Sequence, residues 1–569
     1  MRIALLAEGG YPYAAGEGRV WCDRLVRGLS DHEFEAYALC ADPALDEGGL
    51  GALPAHVRAV HRAPLWSEPE AAAPYGRRAR DRFAESFAEL AGAIAADAPA
   101  EDRFADGLYG LAALALDEGP GLRHALRSEL PLRLLEAACR APGSARLVQA
   151  ARAVDLLAAM EHLVQALRPL SLPWYGPGEL GGADLCHALS GGTAALPGLV
   201  ARYAHGTPLL VTEYGVRLRR HYLAEVPGDV PARALTAGFE RRLAAEVCAR
   251  ADLLTPGNTH ARRWQERLGA ARERQRTVYP GMEADRFTDV GEAGLPGEDT
   301  AAEGRTLVWV GRIEPAKDLI ALLHAFAEIR KEEPETRLLL VSQGGVPDYE
   351  AHCRALAAQL FPDEAAGAHE VGDNPVSFEE TGGPELPDLA SAYASGEVLV
   401  SSSVVEGFPG GLVEGMFCGR ACVSTDVGAV REVIGGTGLV VPPRNPRALA
   451  DACLALLRDA SRRARLGAAA RARAVELFTV DQNIAAFRGI YLELMSHRRV
   501  PPRWGAEPRP FEHPAEAAVP GRWAGGRLPG WRQGGLSPRA AVPRWSRTRD
   551  DAGLEPVGAL PQAAGGESR

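Results

Sequence analysis

The run LVWVGRIEPAKDLIALLHAFAEIRKEEPETRLLLV, residues 307–341, decides the fold. Its first residues, 307–310, are a short apolar stretch that stops at Gly311 and Arg312, as a buried parallel strand does on entering a turn. Apolar residues then recur at helical spacing over 317–330, and a second apolar run follows at 337–341. Strand, turn, helix and strand in sequence make one βαβ unit. Such a unit implies a parallel sheet with a right-handed crossover. Downstream, 398–401 and 421–424 read as further strands, with 414–418 helical between them.

Upstream the same alternation recurs. Residues 2–7 form an apolar run ending at Glu8, Gly9 and Gly10, followed by a helix at 21–29 and a strand at 34–39. Strand-like runs return at 184–189, 208–212, 252–255 and 277–279. Between them the character changes. RFAESFAELAGAIAA and RAVDLLAAMEHLVQAL have helical periodicity and few β-branched residues, which marks a helical insertion over about 77–170. A Gly-, Glu- and Asp-rich stretch beginning at Asp289 marks a linker.

The expected organisation is α/β: two Rossmann-like lobes facing across a cleft. The first lobe spans 1–290, the linker 291–305 and the second lobe 306–479, and a helix at 480–497 returns toward the first lobe. Residues 498–569 shift to Pro, Gly, Arg and Trp without apolar periodicity and read as a disordered tail. Trp504, Trp523, Trp531 and Trp545 all lie in it.

Composition sets bounds on function. A net charge of -11 excludes a chain-wide nucleic-acid surface. The nine cysteines are scattered, and Cys418 and Cys422, the only close pair, lack the second pair a zinc site needs. Free thiols fit a reducing cytoplasm. The opening apolar core, 3–7, is too short for a signal segment or membrane span, and no later run reaches the necessary length.

Two segments carry chemistry. The chain has only two lysines in an Arg-rich background, and Lys317 stands five positions after Arg312 across a strand-to-helix turn. A guanidinium fork and a compact ammonium together suit a diphosphate leaving group. About ninety residues on, EGFPGGLVEGM places Glu406 before a glycine loop and Glu414 in the following helix. The glycines let backbone N–H groups approach a ligand, and the helix start adds positive potential. Carboxylates at Glu406 and Glu414 suit sugar and ribose hydroxyls.

GRIEPAKD, EGFPGGLVEGMFCG and STDVGAVREVI resemble the donor lobe of family-4 retaining glycosyltransferases of GT-B fold. The opening AEGGYPYAAGEGRVW, with DLCHALSGGTAALPGLVARY, VTEYG, TVYPGMEADRF and PDYEAHCRAL, resembles the PelF-like branch, which serves exopolysaccharide synthesis. The resemblance runs from residue 1 to about 497. It implies that Arg312 and Lys317 contact a donor diphosphate and that Glu414 binds the ribose. It sets Glu406, with the amides of Phe408, Pro409, Gly410, Gly411 and Leu412 (Pro409 lacking an N–H), around the donor sugar. Gly16 matches the first glycine of the N-terminal loop, where phosphate and acceptor meet. Glu17, His187, Glu213 and Tyr214 fall on the acceptor side. The family needs no metal or cofactor, and the chain has no D-x-D triplet.

The expected reaction is retaining transfer of a hexose from a nucleotide-sugar, UDP-linked by branch analogy, to a polysaccharide or glycoconjugate acceptor. The expected setting is cytoplasmic, with peripheral contact to a membrane polysaccharide synthase complex. The departures support an alternative, a non-catalytic subunit of such an assembly. Glu17 replaces the second loop glycine, Tyr214 replaces the histidine of T-E-H-G, and Leu189 replaces the second histidine of H-x-H after His187. The donor lobe's usual glycines are shifted to SQGG at 342–345. A Rossmann oxidoreductase is excluded by the first loop, which lacks G-x-G-x-x-G with a following acidic residue.

Overall fold

Two parallel sheets of six strands each organise the chain, in a computed structural model that describes residues 1–13, 18–66, 74–224, 228–293, 305–362, 374–384 and 386–497. The first sheet comprises β1 (Arg2–Glu8), β2 (Glu33–Cys40), β3 (Val57–Pro64), β4 (Leu185–Ala188), β5 (Leu209–Glu213) and β6 (Leu253–Pro256), in the order β3-β2-β1-β4-β5-β6. The second comprises β7 (Thr306–Ile313), β8 (Arg337–Gly345), β9 (Val376–Glu380), β10 (Val398–Ser401), β11 (Ala421–Thr425) and β12 (Gly438–Val441), in the order β12-β11-β10-β7-β8-β9. This is the two-lobe GT-B arrangement. Central strands such as β4 and β5 are buried along their whole length, as continuous apolar runs under helices require.

The insertion between β3 and β4 is helical. Arg77–Ala95 and Glu101–Glu118 are its long members, followed by Glu129–Arg140 and Ala153–Ala166. Phe83, Phe87, Phe104 and Leu111 share one apolar core with Leu6 and Leu39 of the sheet and with Phe239 and Leu243 of helix Val230–Arg250. The insertion is thus fused to the first lobe's core rather than appended to its surface.

Three expectations change. Residues 277–279 form no strand: a single parallel bridge joins Gln275 to Leu254 and the Val278 amide donates to Pro256 O at 3.1 Å, but Pro280, which has no N–H, does not extend the pairing. The helix expected over 317–330 runs Leu319–Glu332, because Asp318, at φ 47, caps it by accepting from the Ala321 amide. The three strands not foreseen, β3, β9 and β12, are all sheet edges. Most of the linker, and the tail from 498, lie outside the described residues.

Helix Val480–Ser496 carries Phe487, Ile490 and Tyr491 into a core built by Ile3, Leu5, Val26 and Phe34. Burying each such side chain contributes about 1.5–3 kcal/mol. The chain passes twice between the sheets, and the two passes lie side by side. The Met282 amide donates to Phe478 O at 2.8 Å and the Val480 amide to Met282 O at 3.1 Å. Gly281 permits this approach: a Cβ there meets Asn483 Cβ at 2.8 Å and Val480 Cα at 2.9 Å. Gly281→Ala is expected to destabilise the fold by about 1–3 kcal/mol through overpacking, read as a lower denaturation midpoint. An unchanged midpoint counts against this packing.

Candidate functional site

The site forms where the carboxyl ends of both sheets face one another. Past β7, Pro315–Lys317 makes a single 3-10 turn, which leaves Lys317 just outside the following helix. Lys317 Nζ lies 2.6 Å from Glu406 Oε2. Ser403 Oγ donates to the same oxygen at 3.2 Å. Ser402 Oγ donates to Lys317 O at 2.7 Å, and the Val404 amide to Ala316 O at 2.9 Å. The turns after β7 and β10 are therefore joined through backbone and side chain. Arg312 is freer: its side chain is 65% exposed, against 22% for Lys317, and its Nε is 3.9 Å from Glu314.

Glu414 sits on helix Gly410–Phe417, which starts within the glycine loop itself. Its Oε2 accepts from Tyr393 OH at 2.8 Å. Burial pushes the Glu414 carboxyl above its usual range, while the Tyr393 hydrogen bond and the Arg286 and Arg24 charges oppose that rise. The Gly410 and Leu412 amides donate to Phe408 O and Pro409 O, so the loop spends two of its donors internally. Arg312, Lys317, Glu406 and Glu414 line one pocket of 280 Å³ with Pro409, Gly410, Gly411 and Leu412. Phe408 turns away and packs on Phe478, ring centroids 5.8 Å apart.

A larger cleft of 680 Å³ shares Lys317 and Glu406 with that pocket and takes its other wall from Glu8, Trp21, Tyr214 and Arg217. Tyr214 OH accepts from Asn483 Nδ2 at 2.8 Å, and its ring meets Trp21 edge-on at 4.9 Å. Glu213 lies behind the wall, accepting from the Arg217 amide at 2.9 Å and from Gln265 at 3.3 Å, with its carboxyl pushed up by burial. His187 is not brought to the cleft. It is fully buried, with Nδ1 2.8 Å from Tyr491 OH and Nε2 2.7 Å from Thr212 Oγ1, and burial drops its pKa to about 3. A neutral imidazole satisfied on both nitrogens is a core group. Gly16 and Glu17 lie outside the described residues.

Sequence reading missed several residues that hold the site. Tyr393 supports Glu414, and Ser403 supports Glu406. Glu432 joins the lobes, its Oε2 accepting from the Thr259 amide at 2.6 Å and its Oε1 from Tyr279 OH at 2.9 Å. Both Glu432 and Gly428 fall in STDVGAVREVI, a stretch whose local chemistry gave no reason for its residues. Gly428, at φ 56, lies so close to Glu406 O that a Cβ would clash with it.

Residues 1–273 match the family described as Domain of unknown function (DUF3492), and residues 304–459 match Glycosyl transferases group 1. A D-inositol 3-phosphate glycosyltransferase of Thermobispora bispora is 32% identical over 316 residues, covering 53% of this chain and 70% of the relative. The chain belongs to the glycosyltransferase group 1 family. A second relative of the same name, from Nocardioides, is 30% identical over 55% of this chain and 68% of its own length. Among solved structures, Anabaena HepE in complex with UDP matches with TM-score 0.50 at 16% identity, over 86% of this chain and 99% of that one. The sucrose-phosphate synthase of Thermosynechococcus elongatus matches with TM-score 0.50 at 17% identity, over 88% and 100%. At these identities the structures establish the shared fold.

Gly428→Ala in this glycosyltransferase places a side chain in left-handed backbone, at a cost of about 1–2 kcal/mol before any clash. A lower melting temperature with weakened nucleotide binding is expected. A variant that melts and binds like the parent removes Gly428 as the prop of the Glu406 loop.

Proposed function

We propose that this glycosyltransferase transfers a hexose from a nucleotide-sugar, UDP-linked, to a saccharide or glycoconjugate acceptor, with retention and without a metal. The observation that carries the reading is the convergence of Arg312, Lys317, Glu406 and Glu414 on one pocket at the sheet edge. The HepE neighbour was solved with UDP, and the relatives are named for sugar transfer, which supports the same donor class. The motif resemblance supports the narrower assignment to family 4, to the PelF-like branch and to exopolysaccharide synthesis. It also supports a cytoplasmic site of action near a membrane synthase. Among the described residues, no helix is long and apolar enough to cross a membrane.

The residues divide the work by charge. As the C1–O bond breaks, its electron pair passes to the diphosphate oxygen, where Lys317 and Arg312 offset the growing charge. An ammonium has three donors, so Lys317 can keep Glu406 on one and offer the others to phosphate. Glu414 accepts from the ribose diol. The acceptor hydroxyl attacks on the face the nucleotide leaves, and its proton passes to the departing phosphate. Closure of the lobes excludes water from the cleft.

Release of UDP from a panel of UDP-sugars, without metal, tests this directly. Lys317→Ala and Arg312→Ala are each expected to slow release by about a hundred-fold to a thousand-fold, in line with loss of a single oxyanion donor. Full turnover in either variant refutes the clamp, and no release or binding with any donor favours the non-catalytic subunit. Ionised Glu414 is the form that accepts from the diol, and its pKa is raised in the fold. UDP affinity is therefore expected to fall as pH drops through that raised pKa. Tyr393→Phe removes a hydrogen bond that lowers the pKa, which moves the fall to higher pH. Titration calorimetry with UDP from acid to neutral pH reads this, and identical profiles for parent and variant overturn it.

A further inference from the structure

Buried polar side-chain atoms are nearly always hydrogen-bonded, so an unpartnered one calls for an explanation. Four of them fall on residues that line the 680 Å³ cleft: Glu8 Oε2, Tyr11 OH, Trp21 Nε1 and His260 Nε2. Each is buried without a hydrogen-bond partner among the described residues. Glu8 ends β1, and Tyr11 follows in the loop after it. Trp21 stands on helix Arg19–Gly28 and His260 on helix Thr259–Arg267. Three separate elements of the first lobe thus bring unsatisfied groups to one opening, which Lys317 and Glu406 also line.

Two of these groups are fixed by their other contacts. Glu8 gives its second oxygen, Oε1, to Arg217 Nη2 at 2.8 Å, and its side chain keeps 11% exposure. The Trp21 ring meets Tyr214 edge-on, centroids 4.9 Å apart, and leans on Phe487 at 5.9 Å, and its N–H stays unused. Leaving a buried group unpaired costs about 1–3 kcal/mol, a cost that a bound ligand removes. The polarity of the groups then selects the ligand. A carboxylate oxygen accepts, whereas an indole N–H only donates. Phosphate oxygens satisfy the indole and repel Glu8. An ammonium satisfies Glu8 and offers nothing to the indole. A hydroxyl both donates and accepts, so neighbouring hydroxyls on one molecule satisfy both, and the Tyr11 phenol pairs with a hydroxyl in either direction.

We propose that Glu8 and Trp21 determine acceptor specificity by holding a neutral polyhydroxy group in the cleft, Glu8 Oε2 accepting from one hydroxyl and Trp21 Nε1 donating to another. This rests on the reading of the cleft as a glycosyl-transfer site. The last torsion of a glutamate is soft, so Glu8 turns Oε2 toward the cleft while the Arg217 fork keeps the other oxygen. Arg217 is then the positioning residue behind Glu8.

The test titrates the UDP-saturated protein with the methyl glycosides of glucose, galactose, mannose and N-acetylglucosamine. The Trp21 indole N–H resonance, assigned by its loss in Trp21→Phe, reports binding. At least one glycoside is expected to move it. The deoxyfluoro analogues of that glycoside follow, because fluorine cannot donate. Fluorine at one position is expected to weaken binding about ten-fold or more, the scale of a hydrogen bond to a charged group. Glu8→Gln keeps the shape of the side chain and an oxygen for Arg217. It is expected to erase that penalty, so that the hydroxylated and fluorinated sugars bind alike. A Glu8 that only supports the fold leaves the penalty the same in both proteins. An indole resonance unmoved by every glycoside, or a fluorine penalty that survives Glu8→Gln, overturns the proposal. Release of UDP from UDP-sugars keeps the two readings apart. Sugar binding that depends on Glu8 in a protein that releases no UDP upholds the subsite where transfer fails. UDP release with sugar binding indifferent to Glu8 upholds transfer and refutes the subsite.

Discussion

The two passes of the chain between the lobes are the constraint on which the site depends. They are locked edge to edge by the Met282 hydrogen bonds to residues 478 and 480, and Gly281 is where they come closest. That places the carboxyl ends of β1, β4 and β5 opposite those of β7 and β10. In a parallel sheet these ends carry the loops that bind ligands, so each lobe presents its loop residues to the other. Glu432 adds a polar strut on the same side, reaching Thr259 and Tyr279 from the second lobe. A displacement at the passes therefore moves both walls of the cleft together.

Within that frame the Lys317–Glu406 pair fixes where positive charge sits in the pocket between the turns after β7 and β10. The pair is partly buried, its side chains 22% and 17% exposed, so neither partner is free in solvent. Its value is positional. Ser402, Ser403 and Val404 tie the two loops around it, so the ammonium is already aimed into the pocket. Arg312, more exposed and nearly unpaired, keeps the freedom to swing onto a ligand. One cation is fixed and one is mobile, which divides orientation from capture.

The sequence revealed the central strands and the edge strand β6 but missed the other three edges, for a physical reason. β1, β4 and β10 are buried on both faces over nearly their whole length and read as mainly apolar runs. β3 contains Arg58, His61 and Arg62, β9 ends in two glutamates, and β12 is short and begins with glycine. An edge strand covers less core and carries less apolar signal. The false strand at 277–279 is the converse case. Val278 packs into the core with Phe487, so its apolar character reflects burial without a ladder. That Arg312, Lys317, Glu406 and Glu414 belong together was legible because glycine spacing and paired carboxylates are local patterns, and the fold brings all four to one pocket. Tyr393, Gly428 and Glu432 were not, because each acts on a partner brought near only by folding.

Two residues of the first lobe, the retained His187 and the substituted Tyr214, share a structural logic in helix Val480–Ser496. His187 is claimed by Tyr491 of that helix, and the hydroxyl of Tyr214 by Asn483 of the same helix. The substitution therefore converts a position on the cleft wall into an anchor for the returning helix. With the His187 ring and the Tyr214 hydroxyl committed inward, the helix after β5 supplies polar groups to this wall, where Arg217 is held by Glu8 and the Glu213 carboxylate caps the amide of the same residue. Glu213 thus shapes the cleft at one remove. Because its ionised form is disfavoured by burial, keeping it in place depends on the Arg217 amide and Gln265, which ties the geometry of this wall to a carboxylate that does not line the cleft.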